Sequence, residues 1–286
     1  MWIIAAFGSA LFAGLTAILA KSGIKNTDSN VATALRTIVV LIFSWVMVFV
    51  AGSQTGITAI DNKTLIFLVL SGISTGASWL FYFKALQMGD VNKVTPIDKS
   101  SILLTMLMAF LFLGEQITFL KVMAMILIGI GTYMMIQKKE STHTGTKGKS
   151  WLFYAFGSAV SASLTSILGK VGIEGVDSTL GTAVRTIVVL IMAWLVVFIT
   201  GKQNTIKNID KKSSIFLVLS GFATGGSWLC YYKALQEGPA SVVVPIDKLS
   251  ILVTVAFSYL VFKEKLNRKS VIGLVLIVIG TLSLLI

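Results

Sequence analysis

The sequence predicts an all-α integral membrane fold of ten transmembrane helices, built as two five-helix repeats of inverted topology. Three observations carry that expectation. Mean hydropathy is +0.88 and only 13% of the residues are charged, where a water-soluble globular chain carries about 25%. Apolar runs of about twenty residues recur along the whole length, each able to cross a hydrocarbon core as a helix, and none has the strict alternation of a barrel strand. Residues 2–137 also align with 151–286 without a gap: RTIVVLI stands at 36–42 and again at 185–191, FLVLSG at 67–72 and at 216–221.

Ten spans follow, near 2–20, 31–50, 64–87, 93–114, 118–137, 151–169, 180–200, 214–236, 242–262 and 270–286. They divide the chain into a first repeat, 1–137, a linker, 138–150, and a second repeat, 151–286. The first span has no basic residue before it and is not a cleaved signal of the usual kind. The linker KKESTHTGTKGKS is polar and flexible in composition, and its His143 is a solvated residue rather than a ligand. Five spans per repeat is an odd number, so the second repeat enters the membrane from the opposite side.

Loop charges agree with that inversion. In the first half Lys21, Lys25 and Lys93 follow the first and third spans, against Lys63 and Lys121 on the other side. In the second half Lys202, Lys207, Lys211 and Lys212 follow the seventh span, and Lys263, Lys265, Arg268 and Lys269 follow the ninth, with little beyond Lys170 opposite. With Lys138, Lys139, Lys147 and Lys149 in the linker, the positive-inside rule places the odd-numbered connections in the cytoplasm and both termini outside. The net charge of +12 then describes loops beside an anionic leaflet, not a nucleic-acid footprint. The one cysteine, Cys230, lies in an apolar run, so no intrachain disulfide forms.

Residues 71–115 and their copy at 220–264 carry the chemistry. In them Trp79, Tyr82, Lys84, Pro96, Asp98, Lys99 and Glu115 recur at one constant offset as Trp228, Tyr231, Lys233, Pro245, Asp247, Lys248 and Glu264. Gly72 and Gly76, matched by Gly221 and Gly225, allow close helix packing. Trp79 and Tyr82 read equally as an interfacial aromatic belt or as ligand contacts. The fourth span carries Asp98, Ser101 and Thr105 on one face, matched by Asp247, Ser250 and Thr254. With Pro96 in a first helical turn, Asp98 could serve only the helix N-terminus. The hydroxyls continue the same face toward mid-membrane, however, which capping does not require, and intramembrane charges usually face a cavity or a partner.

Arg36 and Arg185 stand inside the otherwise apolar second and seventh spans. Lys84 and Lys233 read as snorkelling side chains. Glu115 and Glu264 read as structural, within reach of Lys121 and Lys265. Ser9, Thr16, Ser158 and Thr165 give the first and sixth spans a mildly polar face. There is no phosphate-binding loop, no Cys/His cluster and no selectivity-filter segment, so no enzyme, metal or cofactor is expected.

ALQ-x-G after the third span and the glutamates closing the fourth and ninth (FLGE at 112–115, FKE at 262–264) complete a pattern with the two five-helix repeats. It resembles the EamA branch of the drug/metabolite transporter superfamily over the whole chain. The PIDK version is similar to a subgroup that also occurs as single five-helix proteins, so this chain looks like a fusion of two such units. The resemblance implies a secondary transporter, often an exporter, working by alternating access. It also implies a cavity lined by the third, fourth, eighth and ninth spans with help from the first and sixth. Many members carry a proline where Ile102 and Ile251 stand; here the prolines come earlier. Termini are often cytoplasmic in the superfamily, whereas the charges here place them outside.

The expected site is Asp98, Lys99, Asp247 and Lys248, with Ser101 and Ser250, walls of Trp79, Tyr82, Trp228 and Tyr231, and the arginines Arg36 and Arg185. Zwitterionic metabolites such as amino acids are the first expected substrates, with proton coupling through the aspartates left open. Lipophilic or guanidinium-type cations are the second. A non-transporting scaffold held by closed ion pairs is the alternative of a different class. The partners are then a small-molecule substrate and the lipid bilayer, with the chain a monomer or homodimer and no nucleic acid bound.

Overall fold

Helix caps and prolines set the boundaries of the elements. In the computed structural model, which describes residues 1–23, 27–88, 91–136, 150–262 and 266–286, no strand occurs among the described residues. The helices are α1 (Trp2–Gly23), α2 (Ser29–Val50), α3 (Asn62–Met88), α4 (Val91–Lys99), α5 (Ser101–Phe112) and α6 (Phe119–Met135). The second repeat gives α7 (Ser150–Gly172), α8 (Ser178–Ile199), α9 (Lys211–Glu237), α10 (Ala240–Lys248), α11 (Ser250–Phe262) and α12 (Arg268–Ser283). Residues 138–149 of the expected linker, with His143 and its four lysines, lie outside the described residues, as do Lys25, Lys263, Glu264 and Lys265.

Equivalent helices begin on equivalent caps. Asp28 and Asp177 accept from the first free N–H groups of α2 and α8, at 2.9 Å from Asn30 and from Thr179. Asp61 and Asp210 do the same for α3 and α9, at Thr64 and Ser213. Thr118 and Asn267 cap α6 and α12. Each satisfies donors that the helix itself leaves open.

The expected fourth and ninth spans are not single helices. Their helices start at Val91 and Ala240, which puts Pro96 and Pro245 in the interior rather than the first turn. A proline there has no N–H to donate and its ring crowds the carbonyl four residues back. The break falls just after each Asp-Lys pair. Ser100 N–H donates to both Pro96 O and Ile97 O at 3.1 Å, and the Ser100 hydroxyl donates to Ile97 O at 2.6 Å. Leu249 N–H similarly donates to Ile246 O at 2.9 Å. The charged pairs thus sit where one half-helix ends and the next begins.

The repeats are related by a pseudo-two-fold axis. Helix α1 lies along α9 and α3 along α7, while α2 pairs with α8 and α6 with α12. The α6–α12 crossing is backbone on backbone: a Cβ on Gly131 would lie 2.6 Å from Gly273 O, and one on Gly273 2.6 Å from Gly131 O. Among the described residues, eight spans are long and apolar enough to cross a membrane, counting α4–α5 and α10–α11 as one each. Helix α6, with 17 residues, and α12, with 16, fall short of that length.

Candidate functional site

Each Asp-Lys pair is anchored by a serine of the opposite repeat. The Ser158 hydroxyl on α7 donates to Asp98 Oδ1 at 2.8 Å, and the Ser9 hydroxyl on α1 donates to Asp247 Oδ1 at 2.6 Å. Ser78 and Ser227 back these serines at 3.4 Å and 3.3 Å. The other carboxylate oxygen faces the neighbouring amine, at 3.9 Å for Asp98–Lys99 and 3.3 Å for Asp247–Lys248. Asp98 therefore bonds a side chain of the other repeat, and the N-cap residue of α5, Ser100, makes no side-chain cap bond. The aspartate side chains are 18% and 14% exposed and those of the lysines 58% and 49%, so the carboxylates are held in the wall while the amines extend outward from it.

They extend into a cavity between the repeats. It has three adjoining compartments that all include Lys248 in their walls. The largest, about 600 Å³, is lined by Tyr82, Lys99, Ile102, Ser250 and Thr254 among others. A second, about 370 Å³, is lined by Trp79, Trp228, Tyr231, Arg185 and Asp247. The third, about 330 Å³, adds Asp98 and Ser101 and again contacts Trp79 and Tyr82. Eleven of the twelve expected residues are brought together here, and the four aromatic residues stand on its walls. The twelfth, Arg36, faces a side pocket behind Trp79.

Arg185 shows what a buried guanidinium needs. It is 2% exposed; its Nε donates to the Ser71 hydroxyl at 2.9 Å and a terminal nitrogen to the Thr75 hydroxyl at 2.5 Å. Its charge lies over the rings of Trp228 and Tyr232, at 5.3 Å and 4.9 Å from their centroids. Tyr231 is fixed by the Ser166 hydroxyl at 2.8 Å. The sequence reading missed Tyr232, Ser166, Ser71 and Thr75 as polar partners. The signal was there: Ser71 and Thr75 are one turn apart, and both repeats keep the pair, as Ser220 and Thr224.

One end of the cavity is shut. Helix α10 packs against α5, whereas the symmetry-related α4 makes no comparable contact with α11 among the described residues. Glu115 accepts from the N–H groups of Ala240 and Ser241, the latter at 3.0 Å, so it crosses from one repeat to clamp the first turn of α10 in the other. Lys170 locks the preceding turn by donating to Leu235 O at 2.8 Å and to Gly238 O. The expected partner of Glu115, Lys121, donates instead to Gln116 O at 3.0 Å and lies over the Phe110 ring. Free helix N–H groups and the positive end of the α10 dipole explain why the carboxylate goes there. The 600 Å³ compartment reaches the opposite end, where Thr132, Met135 and Ile136 line it.

A family model described as EamA-like transporter family matches residues 1–137 and 149–286. The chain belongs to the EamA-like transporter family. It is a multi-pass membrane transporter of that family, with its unit present twice. An uncharacterized transporter from Sinorhizobium is 41% identical over 136 residues; the match spans 48% of this chain but 96% of that protein, which is thus about one repeat long. An uncharacterized protein of Methanocaldococcus jannaschii is 39% identical over 101 residues, 32% of this chain and 73% of its own length. A solved protein structure matches with a TM-score of 0.78 at 16% identity, covering 98% of this chain and 95% of that one, and has the same overall fold.

Proposed function

We propose that this EamA-family protein is a secondary active transporter, acting as an exporter, of small zwitterionic metabolites such as amino acids, bound between the repeats and moved by alternating access. The observation that carries the proposal is the meeting of the two Asp-Lys pairs with Arg185 in one joined cavity. Three cations face two carboxylates, so a ligand carrying both charges finds a partner for each, with the carboxylate favoured. The lysine amines receive the ligand carboxylate, Asp98 and Asp247 its ammonium, and the aromatic walls its apolar part. Two pairs held by the same serine contact in each repeat suit a site that is presented to the two sides in turn.

Orientation follows from the loop charges. With the linker in the cytoplasm, the clamp of Glu115 on α10 lies at the outer end, and the large compartment reaches toward the inner one. That is the conformation in which an exporter loads. Lipophilic cations are served less well, since Arg185 covers one face of Trp228, the ring such a cation needs. A scaffold of closed ion pairs is opposed by half-exposed lysines beside a cavity of several hundred Å³.

The test is a counterflow assay in proteoliposomes, loading amino acids in one set and quaternary or guanidinium cations in another. The proposal expects exchange of amino acids that is competed by other zwitterions. Exchange of cations alone, or of neither class with correctly inserted protein, overturns it.

A further inference from the structure

The two arginines occupy equivalent backbone positions and differ in what surrounds the guanidinium. Helix α8 meets α3 at Gly72, where a Cβ would lie 2.7 Å from Val188 Cβ and 3.3 Å from Arg185 O. Helix α2 meets α9 at Gly221 in the same way, at 2.5 Å from Val39 Cβ and 3.1 Å from Arg36 O. The hydroxyls that receive Arg185 are also duplicated: Thr75 stands 3.3 Å from Thr165, and Thr224 stands 3.3 Å from Thr16. Arg36 nevertheless does not use them. Its guanidinium makes no hydrogen bond, ion pair or ring contact among the described residues, and it faces a pocket of about 130 Å³ lined by Asn30, Thr33, Trp79, Phe83, Ala193 and Val196.

We infer that this pocket is a second binding site, separate from the central cavity, for one small monovalent anion of halide or carboxylate chemistry. An arginine cannot shed its charge at any accessible pH, and a cation inside a helix bundle without a partner is strongly unfavourable. A bound anion removes that cost. The pocket holds a second unsatisfied group: Asn30 Oδ1 is buried without a donor. Its amide orientation is set by Asn30 Nδ2 donating to the Thr200 hydroxyl at 3.4 Å, while that hydroxyl donates to Val196 O at 2.8 Å. A water hydrating the anion supplies the missing donor, and about 130 Å³ accommodates a small ion with one or two waters.

The approach is basic. Asn30 and Phe83 are shared with a neighbouring groove of about 830 Å³ that also carries Lys84 and Lys202, which concentrates anions at its mouth. Trp79 closes the far side and is itself part of the central cavity wall. The difference between the repeats is written in the sequence, since Phe83 stands where the second repeat has Tyr232, the ring that completes the Arg185 berth.

The experiment compares melting of the detergent-purified protein in sodium chloride, sodium acetate and sodium gluconate at equal ionic strength, and locates bromide by anomalous scattering in crystals grown in sodium bromide. The expected result is a saturable rise in Tm with chloride over gluconate, lost in Arg36→Gln and kept in weakened form in Arg36→Lys, with a bromide peak in hydrogen-bonding range of the Arg36 guanidinium. A rise with acetate as well marks a carboxylate pocket, and chloride alone a halide pocket; both sustain the site. Equal chloride dependence in wild type and Arg36→Gln, or bromide sites elsewhere with none at Arg36, overturns it. Should Arg36→Gln fail to fold, the bromide peak in the wild-type protein decides by itself. No transport is measured, so failure here leaves the central-cavity proposal standing, and the reverse.

Discussion

Replacing Asp98 and Asp247 by Asn, singly and together, separates a ligand site from structural ion pairs by magnitude. Each aspartate accepts from a serine, at 2.8 Å and 2.6 Å, and Asn keeps an oxygen for that bond. What is lost is the charge facing a lysine at 3.9 Å or 3.3 Å. Because the lysine side chains are 58% and 49% exposed, the pairs belong with solvent-screened ones, worth about 0–1 kcal/mol each. Breaking a fully buried pair costs about 3–5 kcal/mol instead. The expected outcome is therefore a loss of about 1 kcal/mol or less per site in an SDS-titration unfolding curve, with exchange of amino acids in proteoliposomes reduced to background. A drop near the buried-pair figure at either site, or full transport in the double variant, would refute the reasoning.

Three further outcomes follow from the geometry. Glu115→Gln removes a charged acceptor from the first turn of α10; hydrogen bonds to charged groups contribute about 1.5–3 kcal/mol. Amide exchange at Ala240 and Ser241 should rise tenfold or more, and unchanged protection would show that Glu115 does not hold that end shut. Gly131→Ala places a Cβ 2.6 Å from Gly273 O and 2.9 Å from Ile277 N, backbone atoms that no rotamer change can move aside, so α6 and α12 must separate at a cost of about 1–3 kcal/mol; a Tm equal to wild type contradicts the close crossing. At Asp177 burial raises the carboxyl pKa, but the Ser53 hydroxyl at 2.9 Å and the N–H groups of Leu180 and Thr179 outweigh it and hold the pKa below the usual 3.8. A depressed pKa gives stability that is present above the unfolded value and lost as pH falls through the folded one. The Tm advantage of wild type over Asp177→Asn should accordingly hold at neutral pH and disappear in that acid range, and a pH-independent difference rules the linkage out.

Much of this was legible in the sequence because membranes and duplications leave strong one-dimensional signals. Hydrocarbon demands long apolar runs whatever the tertiary contacts, and an undivided repeat predicts equivalent helices. The pairs Asp98–Lys99 and Asp247–Lys248 stood out since charge is rare in such runs. Glu115 was less legible: its sequence neighbourhood pointed to Lys121, but its partner is a helix start 125 residues away, and nothing local encodes that approach. The breaks after Lys99 and Lys248 were missed because each helix starts two residues earlier than its expected span, at Val91 and Ala240, which moves the proline from the first turn to the interior.

The sequence by itself determined the class of solvent, the number of repeats, the family pattern and which residue types could bear function, since these follow from composition, periodicity and self-alignment. Only the tertiary structure decided which residues meet. Ser9 and Asp247, or Arg185 and Ser71, belong to opposite repeats far apart in the chain. Arg36 and Arg185, set in identical RTIVVLI segments, differ in what they touch because a guanidinium's partners come from neighbouring helices and not from its own.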